Sequence, residues 1–463
     1  MKSRVRSTAI LVVLAVAPLM GVLDFSIVNI ALPSIRREFS LTPADLQWVV
    51  SAYAFTFAGF LMLGGRIADI FDRKVVFMSG LAIFSAASLV GGLAPVAPVI
   101  WAARAVQGLG AAILAPVALA LVMTTFDEGE ERNRALAVFG TIPAVGFTAG
   151  VILGAVLTGL ASWRWIFFVN VPIGLMALSA AAWLLPRGKT SSPTLRIDLA
   201  GSILGTVGLV TLVAGVTRLA ARDNQALFVL LLIGAGIALL AAFLHVERSA
   251  EDAILPLSVF RLPMIGSANL VAGLTIAVTS GLAFTLTLVV QQVMGYSPIA
   301  TGAAFLPAGV GGMVGGTLAA RAVAKIGLRG TALTSIAAFA VGIALVIGFG
   351  LSGSIVWVAA GYGVAGIGIV GTAVTSMIAA TMRIGQERRG LAAGLLSTSQ
   401  QLGGGIGAAL AAIIGASATL PSYRTSLTAF IALLGIAAMI VGTRFASRTE
   451  ASELAHQHRP KVA

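Results

Sequence analysis

Two charged side chains stand in surroundings where charge is expensive. Asp24 interrupts the run Leu23-Asp24-Phe25-Ser26-Ile27-Val28-Asn29-Ile30-Ala31-Leu32-Pro33, and Arg104 opens the run Arg104-Ala105-Val106-Gln107-Gly108-Leu109-Gly110-Ala111-Ala112. An ionised carboxylate in an apolar span is costly, so Asp24 is expected to face a cavity or a partner and to bind a proton or cation. The alternative is a structural Asp bonded to neighbouring helix groups. Arg104 carries a permanent charge that can hold a nearby acid deprotonated, hold a polar network together, or simply bond backbone carbonyls. Spacing along the chain does not by itself bring Asp24 and Arg104 together.

Other polar groups lie in otherwise apolar stretches: Asn29, Gln107, Gln291, Gln292, Ser397, Ser399, Gln400 and Gln401. Unpaired amides in hydrocarbon are unfavourable, so these side chains either line a cavity or bond between helices. Tyr53, Phe284, Phe305 and Met313 are candidates for an adaptable apolar wall of such a cavity, with core or lipid-facing positions as the alternative. Chemistry of other kinds is missing. The chain has no cysteine and three histidines, which do not make a metal site, and no cofactor is expected. Gly361-Tyr362-Gly363-Val364-Ala365-Gly366 spells a dinucleotide-binding pattern, but no strand precedes it and small-residue helix packing explains it. No phosphate-binding loop or cluster of acid–base groups near an interface is present, which argues against ATP coupling and against a polytopic enzyme.

The elements that must position these residues are membrane helices. Hydrophobic residues make up 58% of the 463 and charged residues 10%, too apolar a balance for a water-soluble fold. Each crossing needs roughly 20 apolar residues, and the long unbroken runs exclude a transmembrane barrel. Apolar windows fall at 8–31, 46–66, 75–95, 98–123, 135–160, 164–185, 197–218, 226–246, 264–290, 300–323, 331–351, 355–381, 391–417 and 425–446. The expectation is therefore an all-α integral membrane protein of about fourteen spans. Lys2, Arg4 and Arg6 precede a first run with no small-residue cleavage site, which reads as a retained span.

Of the 30 basic residues, those outside a cytoplasmic placement are Arg36, Arg37, Arg164, Arg218, Arg222 and Arg424, with Arg104 inside a span. This bias puts both termini in the cytoplasm. It also accounts for the net charge of +13 without nucleic acid. The windows group as six, two and six, which gives an N-terminal bundle at 1–186, two inserted helices with linkers at 187–250, a C-terminal bundle at 251–446 and a polar tail at 447–463. Gly65-Arg66-Ile67-Ala68-Asp69-Ile70-Phe71-Asp72-Arg73-Lys74 comes after the second window, and Gly316 to Arg321 with Lys325, Gly327 and Arg329 echoes it in the final six.

The chain resembles the major facilitator superfamily, and within it the fourteen-span drug:proton antiporter group. The resemblance covers nearly the whole length. It is carried by the Gly65 to Lys74 segment, the run around Asp24, the Arg104-x-x-Gln107-Gly108 pattern, and Trp163-Arg164-Trp165-Ile166-Phe167 with Asn170-Val171-Pro172-Ile173-Gly174. Asp72 stands where the loop signature has Gly. The glycines Gly146, Gly150 and Gly154 give one nearly flat helix face for close packing and sliding. That region is similar to the group's antiporter signature, with Val151 and Ala155 replacing its Pro and last Gly.

The resemblance implies two six-helix bundles rocking about a midplane cavity, Asp24 and Arg104 as the proton-coupling pair, and Gly65, Asp69, Arg73 and Lys74 as a conformational latch. It further implies a monomer in the bacterial inner membrane that exchanges protons for a hydrophobic or amphipathic, and in some cases cationic, small molecule. Export of one specific native compound is the alternative within the same fold.

Overall fold

The structure, a computed structural model, describes residues 2–127, 129–185, 199–220, 226–249, 264–382 and 389–445. The linkers 187–198 and 250–263 and the polar tail 447–463 lie outside them, as does the side chain of Asp69. Every regular element among the described residues is helical. In chain order these are α1 (Lys2–Phe39), α2 (Pro43–Leu46), α3 (Trp48–Ile70), α4 (Arg73–Gly92), α5 (Ala97–Thr125), α6 (Glu130–Leu160), α7 (Trp165–Phe168) and α8 (Asn170–Leu184). They continue as α9 (Leu199–Ala220), α10 (Ala226–Ser249), α11 (Ile265–Leu288), α12 (Pro298–Leu345), α13 (Ile355–Thr381), α14 (Arg389–Ile414) and α15 (Leu420–Arg444).

Among the described residues, each apolar window read from the sequence overlaps helix. Among the described residues, nine helices are long and apolar enough to cross a membrane. Two windows, 300–323 and 331–351, share the single element α12, which breaks at Gly327, where φ is 75°. That left-handed backbone suits glycine and few other residues. One π-helical turn, Val289–Val293, extends α11, and another, Val346–Gly350, extends α12.

The chain forms two compact units. The first comprises Met1–Pro256, Ala283–Ala303 and Ala408–Tyr423, the second Leu257–Leu282, Ala304–Gly407 and Arg424–Ala463. In the first unit α1 packs on α6, α3 on α5, and α4 on α5 and α8. The inserted pair α9 and α10 pack on each other, and α9 reaches α3 where Thr206 sits against Gly59. The second unit has close seams of its own. Gly403 of α14 lies on the backbone of Gly273 in α11, Gly311 of α12 on Gly363 of α13, and Gly342 of α12 on Gly361. Backbones approach closely at such seams because lipid gives little hydrophobic drive to helix association, and packing of small residues supplies it instead.

The loop after α3 has a local cause. Asp72 caps α4, its carboxylate accepting from the Lys74 backbone N–H at 2.8 Å. An Asp cap serves the orphan donors of a helix start better than the glycine of the family pattern. Arg73 Nε donates to the Ala68 carbonyl at 3.3 Å. Lys74 Nζ donates to the carbonyls of Ala182 and Leu185, at 2.7 and 2.8 Å, and so closes the C-terminal end of α8. Gly65, four residues before Asp69, has only Pro116 near its would-be side chain, at 3.8 Å.

Candidate functional site

Asp24, Arg104 and Gln107 meet in the middle of the first unit, all out of solvent. Arg104 Nη1 donates to Asp24 Oδ2 and, at 2.9 Å, to Gln107 Oε1. Its Nε donates to the Val49 carbonyl of α3 at 2.8 Å. Gln107 lies one helical turn beyond Arg104 on α5, which is why both reach the same point on α1. Gln107 Nε2 donates to Asp24 Oδ1 at 3.2 Å and to Ser88 Oγ of α4 at 2.7 Å. Ser88 in turn donates to the Phe84 carbonyl at 2.8 Å. Asn170 Nδ2, at the start of α8, completes the set with a 3.2 Å bond to Asp24 Oδ1.

The Asp24 carboxylate thus accepts from an arginine and two amides, and five helices converge on it. Beneath the guanidinium, Arg104 Cζ stands 4.5 Å from the centre of the buried Tyr53 ring, a cation–π contact. A buried charge pair is tolerable only when further hydrogen bonds satisfy its remaining lone pairs and protons. Arg104 thus pairs with the acid and binds a backbone carbonyl at once. Two members, Asn170 and Ser88, are not among the candidate site residues read from the sequence. Asn170 is a lone amide opening an apolar helix, which is the signal available for it; Ser88 offers none.

The other candidates fall in several places. Asn29 is buried on α1 and donates to the Phe25 carbonyl at 2.8 Å, with Oδ1 left without a partner. Gln291 Nε2 donates to the Ile30 carbonyl at 3.0 Å, and Gln292 Oε1 accepts from Arg36 Nη1. Phe284 is fully buried in the first unit. Phe305 is buried in the second, edge-on to Tyr362 with centroids 4.8 Å apart, while Met313 is exposed. Ser397, Gln400 and Gln401 are half-buried along α14, and Ser399 donates to Asn269 Oδ1 at 2.9 Å.

Gly146, Gly150 and Gly154 face α1. A Cβ on Gly150 would stand 1.9 Å from Ser26 Oγ, and one on Gly154 would stand 2.9 Å from the Ile27 carbonyl oxygen. Ser26 itself donates to the Gly146 carbonyl at 3.4 Å, so the seam that these glycines open runs directly beside Asp24.

Comparison with known proteins accords with this architecture. The family model described as Major Facilitator Superfamily matches residues 14–408 and 268–461. The chain is 36% identical over 465 residues to the puromycin resistance protein pur8 of Streptomyces alboniger, covering 96% of this chain and 92% of that one. It is 42% identical over 304 residues to the cephamycin export protein CmcT of Amycolatopsis lactamdurans, covering 65% and 62%. Its fold is similar to that of a bacterial homolog of the human lysosomal transporter Spinster in an inward-facing, unoccupied conformation, with a TM-score of 0.66 at 17% identity over 97% of this chain and 98% of that one. The length of these matches, together with the helical architecture, makes the chain a multi-pass membrane protein that belongs to the Major Facilitator Superfamily.

Proposed function

We propose that this protein is a proton-coupled secondary exporter of hydrophobic or amphipathic small molecules, working by alternating access with fourteen spans. It sits in the bacterial inner membrane as a monomer with both termini cytoplasmic. The observation that carries the reading is the Asp24–Arg104 pair, closed and free of solvent, inside a superfamily member whose relatives are named for antibiotic resistance and export. A proton arriving on Asp24 would turn an acceptor of three donors into a neutral group and leave Arg104 buried without its counter-charge. In this reading the proton is taken up in another conformation. A proton that binds two states unequally shifts the balance between them, which is what coupling requires.

Substrate contact is assigned, in the second unit, to the half-buried Ser397, Gln400 and Gln401 of α14, and the Gly65, Asp69, Arg73 and Lys74 turn to a latch between states. In this reading, Asp69→Asn slows conformational exchange more than it weakens substrate binding. The names of pur8 and CmcT each point to one compound, which supports a second reading in which a single antibiotic-like metabolite is exported.

Purified protein in sealed vesicles with an imposed pH gradient tests both. Uphill movement of puromycin that stops when a protonophore dissipates the gradient supports the coupling, and movement indifferent to the gradient overturns it. Transport of structurally unrelated amphipaths decides for the broad exporter, and transport of one compound alone decides for the second reading.

A further inference from the structure

Arg36 and Arg37 are consecutive in the last turn of α1, on the outer side of the proposed topology. Basic residues of a membrane protein collect on the cytoplasmic side, so an arginine pair on the other side runs against the general bias. A counter-charge would account for it, yet neither guanidinium is ion-paired with a carboxylate among the described residues. The acids close by in the chain are engaged elsewhere. Glu38 accepts from Trp163 Nε1 at 2.6 Å and from Arg164 Nη1 at 2.9 Å, and Asp45 accepts from Thr42 Oγ1 at 2.6 Å.

The two arginines are held differently. Arg36 is half-buried and fixed, its Nε donating to the Leu41 carbonyl at 3.1 Å and its Nη1 to Gln292 Oε1. Arg37 is exposed and reaches Ser34 Oγ across 3.4 Å. With Ser40, Leu41 and Gln292 they line a pocket of about 430 Å³ within the first compact unit. Ser40 has a left-handed backbone, with φ 51°, at the turn where the Leu41 N–H bonds back to the Arg36 carbonyl at 3.0 Å. Glycine usually takes that conformation, and a strained residue in its place is a feature of ligand clamps. Attraction to a helix C-terminus explains one basic residue there, at about 0.3–1 kcal/mol, but not a cavity beside two of them.

Depth in the bilayer narrows the ligand. Phe39, between the arginines and Ser40, packs edge-on to Trp163 with ring centroids 5.8 Å apart. Tryptophan at the end of a span marks the headgroup level, which is where lipid phosphates lie. We propose that Arg36, Arg37, Ser40 and Gln292 form a binding site for a phosphate group, as carried by the headgroup of an anionic phospholipid or by free phosphate. Arg36 supplies a fixed positive wall and Arg37 a mobile fork that can donate two parallel N–H bonds to one phosphate. Gln292, its Oε1 taken by Arg36, offers its amide N–H groups, and Leu41 gives the apolar side that a glycerol ester would meet. The inference takes only the choice of leaflet from the exporter reading, because binding requires no transport.

Thermal unfolding of the full chain in detergent, titrated with short-chain phosphatidylglycerol, tests the site. The midpoint is expected to rise saturably. Arg37→Gln, at an exposed side chain whose loss leaves the packing intact, is expected to raise the half-saturating concentration about tenfold, or ~1.4 kcal/mol, and Arg37→Lys is expected to raise it less. Phosphatidylcholine of the same chain length and inorganic phosphate are the parallel arms. Saturation by inorganic phosphate at the same concentration makes free phosphate the source, and saturation by phosphatidylglycerol alone makes it the lipid; both support the site. No saturable rise with either, an unchanged half-saturating concentration in Arg37→Gln, or an equal response to phosphatidylcholine overturns it. Efflux missing from the unaltered protein counts against the exporter reading alone.

Discussion

Arg104 and Asp24, on α5 and α1, are joined by a charge-assisted bond in which both side chains are withdrawn from solvent, at 1% and 0% exposure. The pair does not stand alone, because Gln107 and Asn170 donate to Asp24, Arg104 also donates to Gln107 and the Val49 carbonyl, and Gln107 donates in turn to Ser88. Breaking a buried pair by removing one partner typically costs about 3–5 kcal/mol, since the remaining charge is left uncompensated.

Asp24→Asn keeps the volume and an acceptor oxygen but removes the charge and the proton site. Gradient-driven transport is expected to disappear in reconstituted vesicles while the protein still inserts in the membrane and elutes as a folded species in detergent. Undiminished active export by this variant would take Asp24 out of the coupling role.

Arg104→Lys retains the charge and loses the fork. A single ammonium cannot reproduce both the Nε bond to Val49 and the Nη1 bonds to Asp24 and Gln107, nor the flat contact with Tyr53. Transport is expected to fall by at least roughly tenfold, which is ~1.4 kcal/mol in the affected step. A lysine variant with full activity would show that charge alone is what the site needs.

Gln107→Ala and Asn170→Ala each remove one amide donor from Asp24 Oδ1. Each alone is expected to destabilise the detergent-purified protein by about 1–3 kcal/mol. Because they share one oxygen, the double variant should depart from additivity by about 0.5–3 kcal/mol. Thermal unfolding of the four proteins reads this directly, and strict additivity would mean that the amides act independently.

Gly150→Ala places a methyl group 1.9 Å from Ser26 Oγ and 2.7 Å from the Leu23 carbonyl oxygen, so α1 and α6 must separate. Loss of folded protein, or of transport, is the expected result. Gly394→Ala on α14 meets nothing within 4 Å and is expected to be neutral or stabilising by up to about 1 kcal/mol. Equal tolerance of both substitutions would remove the close seam from the account.

Asp72→Ala takes away the cap of α4. A loss of about 0.5–2 kcal/mol in thermal stability is expected, with the transport rate per folded molecule unchanged. A selective loss of rate would instead make Asp72 part of the conformational latch.

Much of the architecture can be read without coordinates because lipid simplifies the problem. A span must be apolar over its full length, so helices announce themselves by composition, and among the described residues each window read from the sequence overlaps helix. Charge in such a span is rare enough to be conspicuous, which singles out Asp24 and Arg104. The four-residue glycine rhythm at 146, 150 and 154 likewise names a flat helix face. Neutral groups give no comparable signal. Ser88 looks like an ordinary helix residue, and Lys74 looks like a solvated loop charge until its ammonium is found on the carbonyls at the end of α8.

The amino-acid sequence by itself therefore determined the solvent, the helices, and the two charges that such a solvent penalises. Tertiary structure decided the partners. It brought residues 80 positions apart into one hydrogen-bonded cluster and turned Gln291 and Gln292 toward α1 by a π-turn that no local pattern marks. The reason is physical: burial of a group is set by its own chemistry and near neighbours, whereas the satisfaction of its hydrogen bonds depends on which helix faces meet, and that is a property of the packed whole.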